Sequence, residues 1–161
     1  MLFSSKFRSF SRKTCRLNDW VAAPYMRRDF ILEKLPQKAE LTVCALGFYE
    51  LYVNGKKITK GHLSPYIVNP DQVLPYDTYD VTSLLCEGQN VLGFLLGNGM
   101  QNGFGGFIWD FDKTSFLSAP KLAFALELTT GDEKTVIEAD ENLIGHPSPI
   151  VFDDLRYGET Y

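Results

Sequence analysis

Apolar and polar positions alternate with a period of two over much of the chain, and no stretch of about a dozen residues sustains a 3.6-residue repeat. Residues 39–47 (AELTVCALG) and 48–53 (FYELYV) read as strands, and the second stops at Asn54-Gly55. Asn-Gly is the strongest two-residue hairpin signal, because a type I′ turn needs positive φ at both central residues. Residues 56–59 are then the return strand, 76–81 (YDTYDV) a short aromatic strand, and 82–86 one helical turn that Thr82 can cap. Residues 87–90 turn into a strand over 91–97, and 121–129 (KLAFALELT) alternates before Gly131-Asp132 turns it into 135–139. Short strands separated by regular turn signals predict an all-β, antiparallel sandwich or jelly roll. Two segments read as long loops, 61–75 with its three prolines and 96–120. Loops of that length in a compact domain are usually functional or packed on a partner.

The 161 residues amount to one domain, and 45% apolar with 14% aromatic composition is enough to bury a core without disulfides or metal. A net charge of −4 argues against general nucleic-acid binding. The longest apolar runs, such as 91–96, fall far short of the roughly 18 residues of a membrane span. Charge is unevenly spread. Residues 1–16 hold five basic side chains and no acid, so the other 145 carry 11 basic and 20 acidic ones, a net of −9. A basic, Ser-rich start has the composition of a transit peptide. The preferred reading is a solvated arm over 1–19, or an edge strand that packs Phe3, Phe7 and Phe10 on a neighbour. With no apolar h-region there is no secretory signal, and the expectation is a cytoplasmic protein. Cys15, Cys44 and Cys86 are odd in number and widely spaced, which fits a reducing compartment rather than a disulfide framework.

The glycine-rich stretch 97–106 follows a strand but lacks the G-K-[ST] ending of a phosphate loop and does not open a helix. Its glycines serve a wide turn. The same loop is the best place to seek a sugar, since it offers Asn98, Gln101, Asn102 and Asp110 beside Phe104, Phe107 and Trp109. A ring covers the apolar face of a pyranose, while amides and carboxylates match its hydroxyls. Asn98, Asn102, Trp109 and Asp110 are the candidate ligand-binding residues. A glycosidase needs two carboxyl groups about 5–10 Å apart across a cleft. Asp153 and Asp154 are neighbours that an extended backbone points to opposite faces, and Asp110 and Asp112 read as solvated loop acids. No catalytic residue and no metal ligand is assigned. Ca²⁺ is the one cofactor left open, without an EF-hand pattern to support it.

Residues 46–56 (LGFYELYVNGK), 63–65 (LSP), 76–85 (YDTYDVTSLL), 87–93 with 96–99, and 153–161, taken in this order, together resemble the N-terminal domain of bacterial α-L-rhamnosidases. Residues 46–56 (LGFYELYVNGK) are similar to that family's G-x-Y-E-L-Y-x-N-G strand and turn. Leu63-Ser64-Pro65 with 76–85 (YDTYDVTSLL) resembles its L-x-P … Y-x-T-Y-D-V-T-x-L-L. Residues 87–93 with Leu96-Gly97-Asn98-Gly99 resemble x-G-x-N-x-(L/I)-G … L-G-(D/N)-G-W, and 153–161 looks like the closing D-x-x-x-G-E-x-Y-D-A-R. Met100 stands where the family usually has Trp, and Pro65-Tyr66-Ile67-Val68-Asn69 where it often has P-G-W-T-D-Y. The resemblance implies a galactose-binding-domain-like jelly roll over 20–161, non-catalytic, that packs on a helical catalytic barrel further along the same chain. That barrel carries two glutamates and hydrolyses terminal α-L-rhamnosyl bonds with inversion. Some related modules bind L-rhamnose with Ca²⁺, which implies rhamnose-containing glycans as the alternative partner. The loop 104–116 and the tail after Pro147 are the expected docking surface, and a stop inside the closing motif is what a fragment would show.

Overall fold

The computed structural model describes residues 6–104 and 109–161. Phe3, Gly105, Gly106 and Phe107, which the sequence singles out, lie outside the described residues. The strands are β1 (Pro24–Leu32), β2 (Lys38–Leu46), β3 (Phe48–Val53), β4 (Lys56–Lys57), β5 (Asp77–Asp80), β6 (Gly88–Gly97), β7 (Lys121–Thr130), β8 (Glu133–Glu138), β9 (Ile144–Pro147), β10 (Phe152–Asp154) and β11 (Gly158–Thr160). They form a five-stranded sheet in the order β4-β3-β6-β1-β9, a four-stranded sheet β5-β2-β7-β8, and the hairpin β10-β11. The ladders between these strands are antiparallel. The architecture is an antiparallel β-sandwich.

Alternation explains the pairing of the layers. Tyr49, Leu51 and Val53 of β3 and Leu92, Phe94 and Leu96 of β6 turn inward from one sheet, and Leu41, Val43, Leu122, Phe124 and Leu126 from the other. Phe94 and Phe124 stack across the interlayer gap with ring centroids 5.4 Å apart. One polar link also crosses the core. The buried Tyr49 hydroxyl donates to the Asp77 carboxylate and lies 2.8 Å from the Tyr79 hydroxyl. Burial first, and then these hydrogen bonds, push the Tyr49 phenol far above its ordinary range.

β2, β3, β5, β6, β7 and β8 fall within a few residues of the sequence expectation. The return strand is shorter than 56–59, although Ile58 N–H still donates to the Leu51 carbonyl at 2.8 Å. At residues 82–84 there is a 3₁₀ turn without a side-chain cap. Thr82 Oγ1 instead accepts from Ala39 N–H (2.8 Å) and donates to Asp80 (2.6 Å), tying β5 to β2. β1 and β9 escape the periodicity argument. Arg28 interrupts the alternation of β1, and its guanidinium grips Asp140 with two bonds of 2.9 and 3.0 Å. β9 is an edge strand with every residue exposed. Ahead of β1, Arg8 exchanges both backbone hydrogen bonds with Leu122 at 2.8 Å, so the chain meets β7 at this residue.

Candidate functional site

Asn98 and Asn102 are each 1% exposed and face inward. The Asn98 amide nitrogen donates to the Val21 carbonyl (2.6 Å) and to Asp153, whose other oxygen accepts from Asn98 N–H at 2.6 Å. Asn102 donates to Asn98 Oδ1 at 2.7 Å and accepts from Cys15 N–H at 2.9 Å. Gln101 donates to the Phe116 carbonyl and to Ser118. These amides fasten the N-terminal segment, the glycine-rich loop and the hairpin β10-β11 to one another. Trp109 and Asp110 sit at the surface instead. The Trp109 ring meets Phe111 edge-on at 5.2 Å, and Asp110 pairs with Lys113 at 2.8 Å. The structure thus divides the sugar candidates into two buried braces and two exposed side chains.

Asp153 and Asp154 do point apart, as alternation requires. Asp154 holds the Arg156 guanidinium at 3.1 Å, and that guanidinium lies 4.5 Å over the Phe104 ring and 5.4 Å from the Tyr157 ring. Trp20 packs edge-on to Phe104 and Phe152 at 5.0 and 4.9 Å. Aromatic and cation–π contacts of this kind each contribute modestly at a partly exposed site, and together the rings of the loop and tail secure the hairpin. Burial pushes Asp153 up to about 6, against the two donors of Asn98, and Glu159 and Asp154 add to the rise. Cys15 and Cys44 are buried, and burial pushes both thiols up to about 11, so neither is a thiolate at neutral pH.

The side chains that gather at an open surface lie on the outer face of the five-stranded sheet. Register fixes their arrangement. Glu50, Leu95, Tyr25 and His146 form one row across β3, β6, β1 and β9, and Tyr52, Gly93, Arg27 and Ile144 form the next. Beside the hairpin β10-β11 this face holds a cleft of about 300 Å³ lined by Glu50, Lys57, His62, Asp153, Glu159 and Tyr161 among others. Burial opposes the charged form of Glu50, but bonds from Lys57, Tyr52 and His62 outweigh it and hold the carboxyl below its ordinary range. The Tyr52 hydroxyl donates to Glu50 at 2.7 Å, and chiefly for that reason its phenol is pushed up to about 12. The face continues into a larger open groove of about 780 Å³ whose walls include Tyr25, Arg27, Tyr52, Ile144 and His146. Sequence reasoning passed over these residues. The alternation of FYELYV puts Phe48, Glu50 and Tyr52 on one face, but only strand register brings Tyr25, Gly93 and His146 beside them. Among the described residues no three His, Cys, Asp or Glu side chains are placed to hold a metal ion.

The chain is thus of the antiparallel β-sandwich class, with Asp77, Asp140, Asp153 and Asp154 serving as structural braces. Comparison with known proteins gives the particular family. Residues 34–161 match the family described as "Alpha-L-rhamnosidase N-terminal domain", and the chain belongs to it. An α-L-rhamnosidase of Formosa agariphila is 32% identical over 98% of the chain, which spans only 17% of that relative's length. The crystal structure of a Streptomyces avermitilis α-L-rhamnosidase complexed with L-rhamnose superposes with a TM-score of 0.78 at 32% identity, over 87% of this chain and 14% of that one. The native Aspergillus terreus enzyme gives a TM-score of 0.80 at 27% identity, over 92% of this chain and 17% of that one.

Proposed function

We propose that the chain acts as the non-catalytic N-terminal domain of a longer α-L-rhamnosidase and packs on a helical catalytic barrel in the same polypeptide. The observation that carries this reading is the match of residues 34–161 to the family, combined with a span of only 17% of the Formosa relative. Hydrolysis then belongs to the remainder of the longer protein, and the part played by this domain is to support the barrel and border its rim. Its surface suits that role. Leu63, Tyr66, Ile67, Val73, Leu74 and Tyr76 are all exposed along one segment, and Tyr66 is 85% exposed. Exposed apolar groups gathered in this way mark a surface meant to be covered.

The test is hydrolysis of p-nitrophenyl α-L-rhamnopyranoside. A polypeptide that extends this chain through the barrel turns it over, and the 161-residue chain does not. Turnover by the 161-residue chain, or none by the longer one, overturns the reading.

A further inference from the structure

The groove on the outer face of the five-stranded sheet is lined by Tyr25, Arg27, Tyr52, Gly93, Ile144 and His146 among others. It is open and about 780 Å³ in volume, inside the range of small-molecule sites. Gly93 contributes no side chain between Tyr52 and Arg27, so the floor drops to backbone between two walls. Tyr25, 42% exposed, stands on one wall and Tyr52 on another. The Tyr52 ring is fixed by its bond to Glu50. His146 Nδ1–H donates to the Pro147 carbonyl at 2.7 Å, which leaves Nε2 for a ligand. The charges on this face are already matched. Arg27 pairs with Asp29 at 2.8 Å and Glu50 pairs with Lys57.

We propose that this face binds a short neutral oligosaccharide laid across β3, β6, β1 and β9. Phenol rings flanking a glycine floor offer flat apolar surfaces to the faces of pyranose rings, and the guanidinium and imidazole edges supply paired polar atoms for hydroxyls. Internally compensated charge disfavours an ionic ligand, because an anion would have to displace Asp29 from Arg27. The four strands span roughly 14 Å, room for more than one sugar unit. The proposal rests on the reading of the chain as part of a carbohydrate-active protein, and the groove it names does not include the Asn98–Asp110 loop.

Calorimetric titration of the 161-residue chain tests it, with L-rhamnose, a neutral trisaccharide ending in α-L-rhamnose, cellotriose and trigalacturonate. The expected result is saturable binding of a neutral trisaccharide, tighter than that of L-rhamnose by about tenfold or more, and none of trigalacturonate. Gly93→Leu fills the floor. A Cβ there meets only the Tyr52 Cβ at 3.7 Å, an ordinary contact, so the first carbon of the new side chain is accommodated without moving the backbone. This variant and Tyr25→Ala each weaken binding about tenfold or more with unchanged circular dichroism, while Leu35→Ala, on an exposed loop outside the groove, binds as the parent does. Absence of saturable heat with every neutral saccharide overturns the proposal, as does binding that survives both groove variants. Binding that vanishes in the longer polypeptide also overturns it, because other polypeptide then covers the face. None of these outcomes depends on rhamnoside hydrolysis, so this proposal and the domain assignment fail separately.

Discussion

Asp153 shows how one residue can brace a fold and make it pH-sensitive. Its carboxyl, ordinarily near 3.8, is raised to about 6 mainly by burial. Between those values the folded state keeps a proton that the unfolded state has released. Stability from this group therefore falls as pH rises from about 4 to about 6 and is level above that, with a total of about 3 kcal/mol as an order of magnitude. The opposite trend, from exposed carboxylates held low such as Asp80 and Glu127, sets in as pH falls through their ordinary values of 3.8 and 4.5. Asp153→Asn removes this contribution and is expected to lower the melting temperature at pH 4.5 relative to that at pH 7. An unchanged difference would show that Asp153 titrates normally. The same residue marks a limit of sequence reading. Asn98 and Asn102 carry the functional groups of a sugar site, and only tertiary placement shows that Asp153, Val21 and Cys15 already occupy them.

Among the elements, the Asn54-Gly55 turn carries the clearest prediction. Both residues have positive φ, 49° and 81°, as a type I′ turn requires. A Cβ at Gly55 meets nothing within 4 Å, so Gly55→Ala costs only the left-handed strain, about 1 kcal/mol. Asn54 does more. Its Oδ1 accepts from Val91 N–H at 2.8 Å, and its Nδ2 donates to the Leu84 carbonyl and to the buried Asn90. Asn54→Ala removes these three bonds, two of them at the exposed surface, and is expected to cost about 2 kcal/mol. Denaturant midpoints check the order, and equal losses would mean that the side-chain bonds contribute nothing. The turn and its flanking strands were legible because local chemistry and alternation agree there. β1 was not, because Arg28 stands at an inward position and is matched only by Asp140, distant in sequence. β9 was not, because an exposed edge strand has no buried face to impose a pattern. The outer-face groove was legible only in part, since its rows are made by register between β3, β6, β1 and β9.

For the molecule as a whole, the exposed apolar segment around residues 63–76 is where the domain assignment can be tested without an activity assay. Tyr66 is 85% exposed, so Tyr66→Asp is expected to change the stability of the 161-residue chain by less than about 0.5 kcal/mol. In a longer polypeptide whose barrel covers this segment, the same change buries a charge at the interface and lowers the melting temperature. Equal melting temperatures for the longer protein and its variant would place the interface elsewhere. The family motifs acquire a physical meaning at this scale. The Asn of N-G, the Asn of G-x-N and the Asn of L-G-N are Asn54, Asn90 and Asn98, each hydrogen-bonded within the fold. What repeats in the sequence pattern is the bracing of a sandwich.

The hairpin β10-β11 is clasped to the sandwich by Asn98, Asp153 and the rings around Arg156, and it shares no ladder with either large sheet. A pulling load that enters at Tyr161 reaches this clasp before it reaches any core ladder. The hairpin peels first, and residues 148–161 extend to roughly 45 Å while the sandwich stays closed. In a chain that continues beyond this point, the clasp is a mechanical fuse between the two parts.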